Sequence, residues 1–230
     1  MNNRLTLKKE KMMLTLLEPY QFAENAGILE KMFRLRARVF HDKLGWDVQV
    51  VDGLEKDQYD EMSPVYLIML DDSKREVLAS ARFLPTSGPT LITDTFSETM
   101  GDDAQFSSPT IWECTRFCID EDLLETMPQG AATAASISSL MLIGCGEFAI
   151  KSGIEGIVAN FDAAMFRIYR RAGAELTVLG SSSRFGERPV YAGIFHIAED
   201  ICERMRVRAG VRGPVLADPR EALPNVAAAA

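Results

Sequence analysis

The sequence has 230 residues, of which 47% are hydrophobic and 25% charged; this is enough for one substantial core and ordinary for a globular domain. A net charge of −8 argues against nucleic acid as a partner. Four cysteines without a Cys-x-x-Cys pair, and only two histidines (His41 and His196), give no metal-site pattern and no Cys–His nucleophile. The thiols are expected to be buried and reduced.

The opening "MNNRLTLKKEKMM" is basic, but Glu18 interrupts the apolar run behind it, so no signal peptide is expected. Residues 24–44 read as an amphipathic helix, with Ile28, Met32, Leu35, Val39 and Phe40 at helical spacing and Gly45 as its stop. Residues 47–62 are dense in acids and lack a period, which predicts a loop. Residues 65–70 and 76–84 read as strands around a turn at 71–73, an antiparallel hairpin that Pro85 to Pro89 breaks. Residues 91–109 look irregular, and 110–119 read as a strand of alternating character.

The longest uncharged stretch, residues 126–146, begins with Pro128, Gln129 and Gly130 and is rich in Ser, Thr and Ala. It makes a poor bilayer span, so a buried helix is predicted over 131–152, with no membrane partner and a cytoplasmic location. A short apolar strand at 156–161 follows, then a helix over 162–172 between Asp162 as N-cap and Gly173 as stop. Strands at 176–179 and 190–197 and a short helix at 198–207 complete the chain. The order predicts an α/β (α+β) fold in which helices flank a mixed, mostly antiparallel sheet. One domain is expected over residues 1–208, with a mobile tail over 209–230.

Charge is uneven along the chain. Residues 151–212 carry ten Lys and Arg against seven Asp and Glu, so an acidic remainder adjoins a mildly basic C-terminal part. That part could dock an acidic partner or be an ordinary solvated surface.

Three clusters hold the candidate chemistry: Arg36 to Phe40 with Leu44-Gly45-Trp46; Glu55 to Asp60; and "RFLPT" (Arg82 to Thr86) with "ECTRF" (Glu113 to Phe117). On a flat strand, Glu113 shares a face with Thr115 and Phe117, and Arg116 shares the other with Cys114 and Cys118, so Glu113 and Arg116 diverge unless the strand twists or bulges there. One face must then bury a charge, and a buried charge needs a partner. On composition alone, an internal ion-pair network among Arg36, Asp57, Asp60, Arg82, Glu113 and Arg116 accounts for these residues better than a reaction does. Phe40 and Trp46 likewise read first as core.

Taken in order, Arg36, Phe40, Trp46, Asp57, Asp60, Arg82, Glu113 and Arg116 resemble the pattern of the LuxI-type acyl-homoserine lactone synthases, eight positions over 81 residues. The resemblance is strong from Leu29 to Ile119 and weaker through "GIEGIVANFDAAMFRIYRRAGAE". It implies a fold related to GNAT-type N-acetyltransferases, with a V-shaped cleft in the sheet. It also implies acylation of S-adenosylmethionine by a thioester, then lactone closure with loss of methylthioadenosine. S-adenosylmethionine is a substrate in this scheme, and no cofactor is implied.

On the same resemblance, Glu113 is the candidate base and Arg116 its catalytic companion. Arg36, Phe40, Trp46, Asp57 and Asp60 would bind S-adenosylmethionine. Arg82, Phe83, Thr115, Phe117, Val158 and Ala159 would serve the acyl donor, expected to be an acyl carrier protein. Ala159 falls where family members that prefer 3-oxo chains carry Thr, so a chain without that group is expected. The rival activity is acetyl transfer from acetyl-CoA. It calls for a Gly-rich pyrophosphate loop after the arginine strand, where this chain has Pro85, Thr86, Gly88 and Pro89.

Overall fold

The computed structural model describes residues 12–71, 73, 75–101, 107–127, 133–186, 188–218 and 223. Its elements are β1 (Met13–Leu17), α1 (Ala26–Arg36), a short hairpin of β2 (Val50–Val51) and β3 (Leu54–Glu55), β4 (Val65–Leu70), β5 (Val77–Pro85) and α2 (Leu91–Asp94). Then come β6 (Ile111–Ile119), α3 (Glu121–Thr126), α4 (Ala134–Lys151), β7 (Gly156–Phe161), α5 (Ala163–Ala172), β8 (Leu176–Ser182), β9 (Val190–His196) and α6 (Glu199–Ala209).

Seven strands form one sheet in the order β1-β4-β5-β6-β7-β9-β8. Every neighbour pair is antiparallel except β6 and β7. The mixed, mostly antiparallel sheet is the one that the element order predicts. Its central strands are buried on both faces, which explains the unbroken apolar run of β4. Tyr66, Ile68 and Leu70 pack with Ile28, Met32 and Leu35 of α1. Leu67 and Met69 face α4, where Ile137, Met141, Cys145 and Phe148 cover them.

α4 is long and apolar enough to cross a membrane by length and composition. Here it is wedged between the sheet and α6. Gly146 allows that approach, since a Cβ there would meet the Cys202 Sγ at 2.5 Å. The predicted start of this helix, residues 131–132, lies outside the described residues.

β6 and β7 are registered only from Ile111↔Gly156 to Glu113↔Val158. The registered pairing of these two strands therefore ends at Glu113 and Val158.

Several parts go beyond or against expectation. The residues read as a loop over 47–62 hold the β2–β3 hairpin, and α2 and α3 are short helices not read from the sequence. The apolar run before Glu18, for which no element is read from the sequence, is a strand, β1, paired in register with β4 from Met13↔Leu70 to Leu17↔Tyr66. The tail expected to be mobile from Ala209 is docked at residues 215–217. The Leu216 and Val215 N–H groups donate to Glu147 of α4, the Ala217 N–H donates to the Leu14 carbonyl, and Leu216 is buried. Residues 219–222 and 224–230 of that tail lie outside the described residues.

Candidate active site

The helix that begins with α1 widens into π-helical turns over Ala37–Lys43 before Gly45, at φ 64°, ends it. These turns aim Arg36 and Phe40 inward, and both are buried. The Trp46 ring stacks on Phe40 with centroids 5.1 Å apart and stays half exposed. Arg116 lies over the other ring of this pair, 5.5 Å from the Phe40 centroid.

Behind them is a ring of ion pairs. Arg36 donates Nη1 and Nη2 to the two Asp60 oxygens at 2.8 and 2.9 Å, and Nε to Glu55 at 2.5 Å. Arg82 grips Asp57 through Nη1 and Nη2 at 2.5 and 3.0 Å, reaches Asp60 at 2.9 Å, and gives its Nε to the Thr115 hydroxyl at 3.1 Å. Arg116 joins Glu55 at 2.9 Å and Asp57 at 2.8 Å. The Tyr66 hydroxyl donates to Asp60 at 2.7 Å. Three arginines thus face three carboxylates, and the set is formally neutral.

Burial opposes charge in every member, so the set survives only because each has partners. Burial alone would raise the Asp60 carboxyl. The hydrogen bonds and charge of Arg36 overcome that and hold it well below the usual carboxylate range. Burial likewise opposes the Arg36 cation, but Asp60 and Glu55 hold it protonated beyond its ordinary range.

Glu113 stands apart from the ring. Its carboxylate accepts the Leu91 and Ile92 N–H groups at 3.1 and 2.5 Å, and it is fully buried. Burial pushes it up to about 7, against the pull of those two N–H bonds. A carboxyl balanced near neutrality, where the registered pairing of β6 and β7 ends, is suited to take up or release a proton at physiological pH.

The ion-pair network expected from composition is therefore present, with one exchange of members. Glu55, absent from the predicted site, holds Arg36 and Arg116, and Glu113 forms no ion pair with an arginine among the described residues. Charge balance could not reveal the exchange, because the predicted set already matched three arginines with three acids; the one available signal was that Glu55 opens the acidic cluster that ends at Asp60.

The predicted faces of β6 need correction. Arg116 lies at φ 53°, and Arg116 and Phe117 together oppose Ala81 alone between the pairs Arg82↔Thr115 and Ser80↔Cys118. This β-bulge turns Glu113, Thr115, Arg116 and Cys118 to the α1 side and sends Phe117 to the α4 side.

The proposed acyl-donor residues divide in the same way. Arg82, Thr115 and Val158 lie on the Glu113 side, where Val158 packs with Ile92 and Met100. Phe83 packs on Phe148 of α4, with centroids 5.1 Å apart. Ala159 alternates with Val158 and so shares the face of Ile157 and Phe161, which meet the α4 layer. It is the first β7 residue past the last registered β6 pair.

The profile of the autoinducer synthase family matches residues 20–205. An acyl-homoserine-lactone synthase of Rhizobium etli is 37% identical over 195 residues, 84% of this chain and 89% of that protein. Among solved structures, the acyl-homoserine lactone synthase LasI superposes with a TM-score of 0.73 at 25% identity, covering 91% of this chain and 98% of its own. BjaI, a CoA-dependent acyl-homoserine lactone synthase solved with S-adenosylmethionine and isopentyl-CoA, has the same fold, with a TM-score of 0.79 at 24% identity over 91% of this chain and 95% of its own. The chain belongs to the autoinducer synthase family, the acyl-homoserine lactone synthases.

Proposed function

We propose that this enzyme transfers a fatty acyl group without a 3-oxo substituent from acyl carrier protein to S-adenosylmethionine, and that Glu113 is the base. The observation that carries the reading is the buried Glu113 carboxyl, held up to about 7, where the registered pairing of β6 and β7 ends. In the first step the methionyl nitrogen attacks the thioester carbonyl. The new C–N bond replaces the C–S bond, the carrier thiol leaves, and the nitrogen gives its proton to Glu113, directly or through a water. An α-amino group has a pKa of about 8 and is mostly protonated at neutral pH, so a base is needed. In the second step the methionyl carboxylate oxygen attacks its own γ-carbon. The sulfonium C–S bond breaks, and neutral methylthioadenosine leaves. This step is intramolecular with a good leaving group, and proximity can supply roughly 7–11 kcal/mol.

The acidic loop supports this reading for S-adenosylmethionine. Asp57 and Asp60 can balance the ammonium and sulfonium, Arg116 or Arg36 can meet the carboxylate, and the Phe40–Trp46 stack offers an aromatic platform. A cavity of about 220 Å³ adjoins Asp57 and Asp60, walled by Phe22, Leu29, Phe33 and Tyr66. For the acyl chain, the end of registered β6–β7 pairing at Glu113 and the apolar layer under α4 support a path between these two strands.

The donor reading rests on charge. Arg167, Arg170 and Arg171 are exposed on α5, within the basic C-terminal part, and suit an acidic carrier. BjaI, which is CoA-dependent, supplies the alternative donor class. The test is release of free thiol from acyl carrier protein and CoA thioesters of several lengths, with and without S-adenosylmethionine. Thiol release that requires S-adenosylmethionine, with higher kcat/KM for the carrier thioester and a decline with added salt, fits the reading. Higher kcat/KM for acyl-CoA at physiological ionic strength rules out the carrier.

A further inference from the structure

α2 is a single turn of four residues, Leu91–Asp94, too short to hold itself together. Ile92 is buried against Val158, Met100 and Ala192. Apart from this packing and the local Thr90–Thr93 cap, two tethers fix the turn. At its start the Leu91 and Ile92 N–H groups bind Glu113. At its end Asp94 accepts the Tyr59 hydroxyl at 2.9 Å. Tyr59 is buried in the acidic loop between Asp57 and Asp60, its own N–H donates to Asp57 at 2.9 Å, and Arg82 lies 5.4 Å from its ring centroid.

We propose that Tyr59 is a positioning residue for acyl transfer: through Asp94 it holds α2 in place, and α2 in turn holds the Glu113 carboxylate. The proposal rests on the reading of Glu113 as the base. It joins the loop assigned to S-adenosylmethionine to the group that takes the proton, by hydrogen bonds alone.

The physical consequence concerns protonation. The two N–H bonds favour the carboxylate form of Glu113, whereas burial favours the neutral acid. Among the described residues, the other charged or titratable groups that act on this carboxyl or its tethers are Arg82 from β5, the neighbouring Cys114 of β6, Asp57 and Tyr59 from the loop, and Asp94 at the end of α2. Loosening α2 weakens the two N–H bonds and leaves burial less opposed. Glu113 then holds its proton to higher pH, and less of the enzyme carries a base at neutrality.

Tyr59→Phe keeps the ring beneath Arg82 and deletes only the hydroxyl. The acid limb of kcat/KM should move up by about 0.5–1 pH unit. Activity should fall about three- to tenfold near pH 6.5 and recover to within about twofold near pH 8.5. Asp94 is exposed, so its variants should fold. Asp94→Ala should reproduce the shift, and Asp94→Asn, which keeps an acceptor, should shift less. An equal loss at every pH, or an unmoved limb in both Tyr59→Phe and Asp94→Ala, overturns the proposal. Glu113→Gln run alongside separates the two ideas. If it keeps more than about a tenth of parent activity, the base reading fails and takes the coupling with it. If it is inactive while the other limbs stay put, only the coupling fails.

Discussion

Glu113 and Arg116 stand three positions apart on β6 and face the same side of the sheet, because Arg116 takes a left-handed φ of 53° and absorbs one residue in a bulge opposite Ala81. A non-glycine residue in that conformation costs on the order of 1–3 kcal/mol. Bonds from Arg116 to Glu55 and Asp57 offset it. The bulge lies just past the last registered β6–β7 pair, and it brings Arg116 into the charged ring on the side that Glu113 already faces.

Glu55→Ala should destabilise the fold by about 3–5 kcal/mol, since Arg36 and Arg116 would keep buried charges with fewer partners. Urea denaturation measures this. A loss under about 1 kcal/mol, the usual value for a surface pair, would show that water replaces Glu55 at little cost.

Glu113→Gln should abolish turnover, by at least about a hundredfold, while the protein melts close to the parent temperature. The stability effect has a direction. Glu113 titrates near 7 when folded against an ordinary 4.5, so the unfolded chain gives up this proton first. Between those values the folded state binds more protons, and stability falls as pH rises. The glutamine variant lacks that decline. Its stability relative to the parent should therefore improve from about pH 4.5 to 7, by about 3 kcal/mol at most. A difference that is flat across this range would show that Glu113 is not shifted.

Trp46→Ala should leave stability within about 1 kcal/mol, because the ring is half exposed, but should raise the KM for S-adenosylmethionine at least about fivefold. Separate calorimetric titrations with each substrate test this. Equal weakening toward the acyl donor would mean that the loop itself has collapsed.

Ending the chain before Val215 removes the N–H donors to Glu147 and the buried Leu216. The loss should be about 2–4 kcal/mol, with little change in KM for S-adenosylmethionine. Thermal melting of the shortened protein decides between this and a tail without structural weight.

Ala159→Thr adds a hydroxyl at the first β7 position past the last registered β6 pair, facing the α4 layer. The parent offers no side-chain donor there, and an unbonded buried carbonyl costs roughly 1–3 kcal/mol, about tenfold to a hundredfold against 3-oxo donors. Mass spectrometry of the products should show chains without the 3-oxo group for the parent and a rise in 3-oxo products for the variant. A dominant 3-oxo product from the parent would defeat the assignment.

The sequence by itself determined the order of the main helices and strands, the sheet type and five of the six members of the charged cluster. Local hydrophobic pattern sets the first two, as in the helical spacing of Ile28, Met32 and Leu35 and the short apolar run of residues 65–70. The third follows because buried charges must be paired wherever they lie, which is why Arg36, Asp57, Asp60, Arg82 and Arg116 could be grouped before their contacts were seen. Tertiary structure decided the pairings. It gave Glu55 to Arg36 and Arg116, left Glu113 to the backbone of α2, turned Phe117 and Ala159 to the α4 face, and docked residues 215–217 on β1. Each depends on a partner distant in sequence or on one bulged residue. A single left-handed φ reverses the side-chain alternation that follows it, and no composition or period in β6 announces where that residue falls.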